Sequence, residues 1–364
     1  MLVHWIHSFN ENIMISIKQS SKFASALSAL LLSSQALACA TCGCSLSSDG
    51  ALGYSAAGGW GISLDDSFVN QSQLRKGTGA VSREQAQAVP GQEVENQTIN
   101  RYLTVGVSYV ASPDWNFKLS LPYIDRTHTT YGTTSTLPLT SDQLSGATAT
   151  GLGDIKFIAS YQGLLANKSL GIQAGFKLPT GNYGGAGANN DSGEIGQGSV
   201  GRNPVGFGPG GNTGSSYLDT SLNVGNGSTD LILGAYYFQA ISQDFDAFVN
   251  GQYQFSVRQQ LNQTGADFKP GDATNISLGL RYEANPQLVP QLQINLTHKA
   301  ADSGKLADTD NTAGTALYLS PGVSASVLNN TQVYAFLQVP IYSNLSGFQL
   351  FPRYTVSVGM NYHF

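Results

Sequence analysis

The sequence predicts an all-β protein: a transmembrane, antiparallel up-and-down β-barrel of about twelve strands, with both termini on the periplasmic side. Three observations predict it: a composition poor in charge without any apolar run, side-chain alternation with a period of two, and connections that alternate between short and long. Only 11% of the 364 residues are charged, and 41% are apolar. Soluble domains carry about 25% charged residues. No stretch after residue 40 approaches the roughly 20 consecutive apolar residues that a membrane helix needs. Gly (42 residues), Ser, Thr, Asn, Gln and Tyr fill the difference. The net charge of −5, with no Lys/Arg cluster to meet phosphates, excludes nucleic acid as a partner.

The first element is a leader. Residues 1–38 contain an internal start at Met14, basic residues Lys18 and Lys22, a short apolar core from Phe23 to Leu32, and an A-x-A site at Ala36-Leu37-Ala38. This is the pattern of an export signal cleaved after Ala38. Residues 39–57 form a Cys-containing periplasmic segment, and 58–364 form the barrel.

The strands follow in order. In "RYLTVGVSYV", Leu103, Val105, Val107 and Tyr109 oppose Tyr102, Thr104, Gly106 and Ser108. "NFKLSLPY", "DIKFIASYQ", "NISLGLRY" and "QLQINLTHK" alternate in the same way, because successive strand side chains point to opposite faces. Segments of this kind are expected at 59–71, 97–111, 115–130, 152–164, 168–180, 228–241, 245–259, 272–284, 287–300, 313–327, 331–343 and 350–364. No helical periodicity interrupts them.

The turns "SPDW", "LANKS", "SQDF", "ANPQ" and "LNNTQ" are short and rich in Pro, Asn, Asp and Ser. They alternate with longer connections at 72–96, 131–151, 181–227, 260–271, 301–312 and 344–349. Outer-membrane barrels combine short periplasmic turns with longer outer loops in this manner. Trp60, Tyr109, Trp115, Tyr282, Tyr362 and Phe364 fall at the expected periplasmic ends, where amphipathic rings prefer the interface. The chain closes on "YTVSVGMNYHF", with Tyr362 and the terminal Phe364 on the lipid face. That ending is the expected signal for the barrel-assembly machinery.

The stretches "TGLGDIKFIASY", "FKLPTGN", "LDTSLNVGNGSTDLILGAYY" and "FKPGD" resemble the outer-membrane barrel family named for the meta pathway of phenol degradation. The resemblance runs from about residue 95 to the C-terminus, roughly three quarters of the chain. It implies transport across the outer membrane, with aromatic compounds as a candidate cargo.

If the apolar face meets lipid, the other face lines the lumen. That face is expected to carry Lys118, Arg126, Lys156, Lys177, Arg258, Arg281, Lys299 and Arg353 against Asp65, Asp154 and Asp230. A cationic interior would concentrate anions; alternatively, Asp154 and Asp230 pair with basic neighbours and lock the wall. Tyr236, Phe238, Phe248, Tyr318, Tyr334, Phe336 and Tyr342 are expected beside them, to stack on planar solutes or to fill space.

Four further patterns carry competing readings. Cys39, Cys42 and Cys44 in "CATCGC" suit a soft metal ion. They equally suit a disulfide with one odd thiol, or lipidation of Cys39. "GFGPGG" has the G-x-G-x-x-G spacing at Gly206, Gly208 and Gly211, but no helix can follow it. Asp308, Asp310 and Asn311 could hold calcium, although the EF-hand Gly and terminal Glu are missing. His298 is the best candidate base, yet only Thr274 and Thr315 are expected beside it, with no serine nucleophile. The chain is therefore read as a non-enzymatic channel without cofactor, for passive uptake of small organic solutes, aromatic or anionic in class. The alternative is a non-conducting barrel whose N-terminal cysteines bind metal or a partner. Segment 39–57 is too short for a plug domain coupled to an energised partner.

Overall fold

In the computed structural model, the described residues are 58–132, 135–183, 222–260, 262–263, 266–304 and 307–364. The leader, Cys39, Cys42, Cys44 and the glycines of "GFGPGG" lie outside them. The wall consists of β1 (Gly59–Gly77), β2 (Glu95–Val110), β3 (Trp115–Thr130), β4 (Ile155–Tyr161), β5 (Leu170–Leu178), β6 (Ser228–Ala240), β7 (Phe245–Gln259), β8 (Ala273–Tyr282), β9 (Leu288–Lys299), β10 (Gly314–Leu328) and β11 (Thr331–His363). Each pairs antiparallel with its sequence neighbour, and β11 pairs with β1 to close the barrel. No edge is left within this ring to carry unsatisfied backbone groups into lipid.

β11 accounts for the difference between eleven wall elements and twelve expected strands. A straight strand of 33 residues would reach about 110 Å. Instead, His363 N donates to Asn330 O at 3.0 Å, so the two ends of the element meet. The chain folds back at Gly347, whose φ of 57° favours glycine. One arm pairs with β10 from Thr331 to Leu345, and the other pairs with β1 from Gln349 to His363. The wall is thus crossed twelve times, and the connection expected at 344–349 is a tight hairpin.

Both ends of the barrel chain lie at one rim, where Phe364 N donates to Trp60 O at 2.9 Å. This near end carries the short turns, several of them opened by a small polar side chain. Ser112 Oγ accepts from Asp114 N and Trp115 N at 3.2 Å, Ser242 Oγ from Asp244 N at 3.2 Å and Phe245 N at 3.1 Å, and Asn285 Oδ1 from Gln287 N at 3.0 Å. These local bonds hold the turn and set the register of the following strand. Aromatic pairs ring the same rim: Trp60–Tyr109 at 4.7 Å, Trp115–Tyr161 at 4.9 Å, Phe245–Tyr282 at 4.9 Å and Tyr362–Phe364 at 5.0 Å between centroids.

The opposite rim, the loop end, holds structure that the alternation pattern does not announce. Ser145–Leu152 is a strand that takes up the last part of the connection expected at 131–151 and the first residue of the strand expected at 152–164; it pairs with the upper part of β3. A single-turn helix, α1 (Arg83–Gln87), lies inside the connection expected at 72–96. It is fixed by a capping box in which Gln85 N donates to Ser82 Oγ and Ser82 N donates to Gln85 Oε1. Its Ala86 packs with Leu74, Val94, Phe348 and Leu350 into a small apolar core above the rim.

Candidate functional site: the barrel lumen

Along the wall strands the buried residues alternate with exposed apolar ones, so the polar face looks inward. Ile62, Val105, Leu278 and Val358 are exposed on the outer face. Lys118, Arg126, Lys156, Lys177, Arg281 and Lys299 are buried on the inner face, together with Tyr236, Phe238, Phe248, Tyr318, Tyr334 and Phe336.

Three sequence expectations fail, and each fails at a β-bulge. Thr229 pairs with Arg258 while Asp230 pairs with Ser256, so Val257 is an extra residue and Arg258 turns to the outer face. Asn70 pairs with Tyr354 and Gln71 with Pro352, so Arg353 is extra and exposed. Leu317 pairs with Tyr342 and Tyr318 with Pro340, so Ile341 is extra and Tyr342 is exposed. An inserted residue shifts every later side chain by one place, which strict period-two counting misses. Arg258, Arg353 and Tyr342 therefore do not line the lumen.

Three stretches that carry the family resemblance meet at one point inside the wall. "TGLGD" brings Gly153 and Asp154, "FKLPTGN" brings Lys177 and Gly181, and "NVGNGSTD" brings Gly225, Asn226, Ser228 and Asp230. Lys177 Nζ donates to Asp154 Oδ2 at 2.9 Å, to Ser228 O at 2.9 Å, to Ser228 Oγ at 3.1 Å and to Asn226 Oδ1, and it lies 3.4 Å from Asp230 Oδ2. Asp154 Oδ1 accepts from Gly181 N at 3.0 Å. The three glycines let their chains touch: a Cβ on Gly181 would stand 3.0 Å from Gly153 Cα, and one on Gly225 would stand 2.7 Å from Gly181 C. The ammonium and both carboxylates are buried, so the cluster persists only because each charge is answered by an opposite charge or a dipole.

Other inward cations are also engaged. Arg126 Nε donates to Asn100 Oδ1 at 2.5 Å, Nη2 to Tyr102 Oη at 3.1 Å and Nη1 to Asn223 O at 3.2 Å. Lys299 pairs with Asp302 at 2.5 Å, and Arg281 with Glu283 at 2.8 Å. Lys156 donates to an amide oxygen instead, Gln254 Oε1 at 3.4 Å. Asp246, the cross-strand partner of Arg281, joins Glu283 and Asp302 in answering the cationic surplus. From the sequence, the inward acids are chiefly Asp65, Asp154 and Asp230.

The inward aromatics lie against the wall. A Cβ on Gly171 would fall 1.9 Å from Tyr236 Cζ, and one on Gly279 would fall 2.2 Å from Phe248 Cε1. The same holds for Gly322 with Phe336 at 2.2 Å and Gly359 with Tyr334 at 2.4 Å. Each ring is thus laid over a glycine of the adjacent strand, and Tyr334 Oη donates to Asp65 Oδ1 at 2.6 Å. Period-two reading places the rings inside but is blind to this pairing; the signal is an inward glycine opposite an inward aromatic.

The other candidate chemistry is accounted for locally. Asp308 Oδ1 accepts from Asp310 N at 3.2 Å and Asn311 N at 3.0 Å, so the "DTDN" carboxylate closes its own turn. His298 pairs across the sheet with Thr274 and Thr315, as expected, and its Nδ1 lies 2.8 Å from Thr315 Oγ1.

A family model described as "Putative MetA-pathway of phenol degradation" matches residues 204–344. The family resemblance holds over that span. No curated protein matches the chain. Among solved structures, an outer membrane channel from Pseudomonas putida F1 superposes with a TM-score of 0.54 at 12% identity, over 85% of this chain and 96% of that one. The translocator domain of the autotransporter NalP from Neisseria meningitidis gives 0.46 at 10% identity, over 87% and 92%. The fold is that of an outer-membrane barrel.

Proposed function

We propose that this barrel is a passive channel of the outer membrane for small organic solutes, with planar aromatic and anionic molecules as the class its lumen fits. The observation that carries the reading is the pairing of inward rings with inward glycines. Rings packed against Gly171, Gly279, Gly322 and Gly359 are held close to the inner side of the wall, where they are buried. A planar solute that enters the lumen would meet aromatic side chains, on which planar groups stack. Lys156, bonded to the amide oxygen of Gln254, lies buried on the same inner surface.

The description of the Pseudomonas putida protein as a channel, and of the matched family by phenol degradation, supports transport in preference to catalysis. The expected partners are outer-membrane lipid, the solute, and the barrel-assembly machinery reading Tyr362 and Phe364. The test is swelling of proteoliposomes in phenol, benzoate and a cationic aromatic of similar size, with planar-bilayer recording on the same preparation. Benzoate and phenol should enter faster than the cation. A silent bilayer and no swelling would overturn the channel reading.

A further inference from the structure

The arginines that bulges turn outward have no role in the lumen. We propose that Arg258 and Arg353 hold the phosphate groups of the outer-leaflet glycolipid, lipid A, at the upper edge of the lipid-facing surface.

Their height is the first argument. Strands tilted near 40° climb about 2.5 Å per residue, which puts Arg353 about 25 Å above His363 and Arg258 about 33 Å above Phe245. The apolar band of such a barrel is about 25 Å tall. Both guanidinium groups therefore stand at or just above its top, where outer-leaflet phosphates lie. On their own strands the outward residues below them are apolar: Val249, Tyr253 and Val257 lead up to Arg258, and Met360, Val358, Val356 and Tyr354 lead up to Arg353. On the strands beside Arg353 the polar boundary starts lower, at Asp66, Arg101 and Asp125.

The second argument is the bulge itself. Each extra residue leaves two consecutive side chains outward, Val257 with Arg258 and Arg353 with Tyr354. A wall strand without a bulge would have sent one of each pair inward. The paired product is one group for the acyl layer and one for the headgroup layer.

The third argument is charge. Arg101, also outward, is held by Asp66 at 3.1 Å, and Asp272 accepts from Tyr253 Oη at 2.5 Å. Among the described residues, no salt bridge holds Arg258 or Arg353. Arginine suits the task because its planar fork binds phosphate through two parallel hydrogen bonds.

The experiment uses the full refolded barrel in neutral detergent, titrated with diphosphoryl lipid A, with the same glycolipid stripped of both phosphates, and with inorganic phosphate. Bound lipid is read by native mass spectrometry, and the folded fraction by heat-modifiability. Lipid A should bind and raise the temperature at which the folded band is lost; the stripped lipid and free phosphate should not. Arg258→Gln/Arg353→Gln should bind lipid A about tenfold more weakly or worse. Arg258→Lys/Arg353→Lys should retain most of the binding, and conductance should be unchanged in both variants. Equal binding of the two glycolipids by the parent, an undiminished lipid A affinity in the Gln variant, or a full shift with inorganic phosphate would each overturn the proposal. The parent's comparison of glycolipids decides the matter even if a variant does not fold. Conductance recorded on the same sample separates this outcome from failure of the channel reading.

Discussion

Lys177 Nζ lies between two carboxylates, 2.9 Å from Asp154 Oδ2 and 3.4 Å from Asp230 Oδ2, and all three side chains are buried in the wall. The lysine ties the residue that precedes β4 to the end of β5 and the start of β6, and β4 and β5 are the shortest wall elements. Removing the cation strands two buried carboxylates. Lys177→Met should therefore cost about 3–5 kcal/mol of barrel stability. Lys177→Met/Asp154→Asn/Asp230→Asn, which removes the whole charge set, should recover much of that loss. Urea unfolding followed by heat-modifiability checks both; a triple variant as unstable as the single one would mean that the ion pairs are not the source.

Phe248 lies over Gly279, and a Cβ there would stand 2.2 Å from the ring. Gly279→Val must push the ring off the wall and into the lumen. The expected result is a folded barrel with lower single-channel conductance, while Phe248→Ala raises it. Equal conductance in parent and both variants would show that this ring does not bound the passage.

Most of the architecture is legible in the sequence because lipid imposes a strict rule on the outer face. β3 and β7 begin and end where alternation and turn residues place them, at 115–130 and 245–259. Misreadings concentrate at the loop end, where lipid no longer constrains the outer face. Bulges at Val257, Ile341 and Arg353 reverse the facing of Arg258, Tyr342 and Arg353; Pro340 and Pro352 mark the last two, since proline inside a paired strand sits at bulges, while nothing marks the first. Ser145–Leu152 is hidden in a Gly/Ala/Thr stretch with little apolar contrast. The knot around Lys177 is half visible: its motifs are readable, but their convergence needs the third dimension. The partners Glu283 and Asp302 lie outside strands, so a face-by-face count of strand charges passes over them.

Phe364 closes the barrel in two ways. Its backbone N–H donates to Trp60 O at 2.9 Å, and its ring meets Tyr362 edge-on at 5.0 Å on the rim where both chain ends meet. Deleting Phe364 should lower the yield of folded, heat-modifiable protein in cells, since it removes the last bond between β1 and the C-terminus and the exposed terminal ring. Refolding of purified protein into detergent should be less affected if recognition by the assembly machinery is the larger part. An unchanged yield in cells would remove the assembly role assigned to this residue.

Ion preference discriminates between inward and outward cations. Lys177, Lys299 and Arg281 face carboxylates across short ion pairs, so their fields are largely cancelled at the lumen surface. Lys156 is bonded to Gln254 instead, and it is buried on the inner face. A salt gradient across a planar bilayer should give a reversal potential of anion-preferring sign in the parent. Lys156→Gln and Arg281→Gln each remove one positive charge from the inner face, the second also leaving Glu283 without its partner, so each should reduce that preference. Arg353→Gln should leave the potential where it was, since that guanidinium is on the lipid side of the wall. A parent that prefers cations, or an Arg353→Gln variant that shifts the potential as far as Lys156→Gln does, would overturn the assignment of these side chains to inner and outer faces.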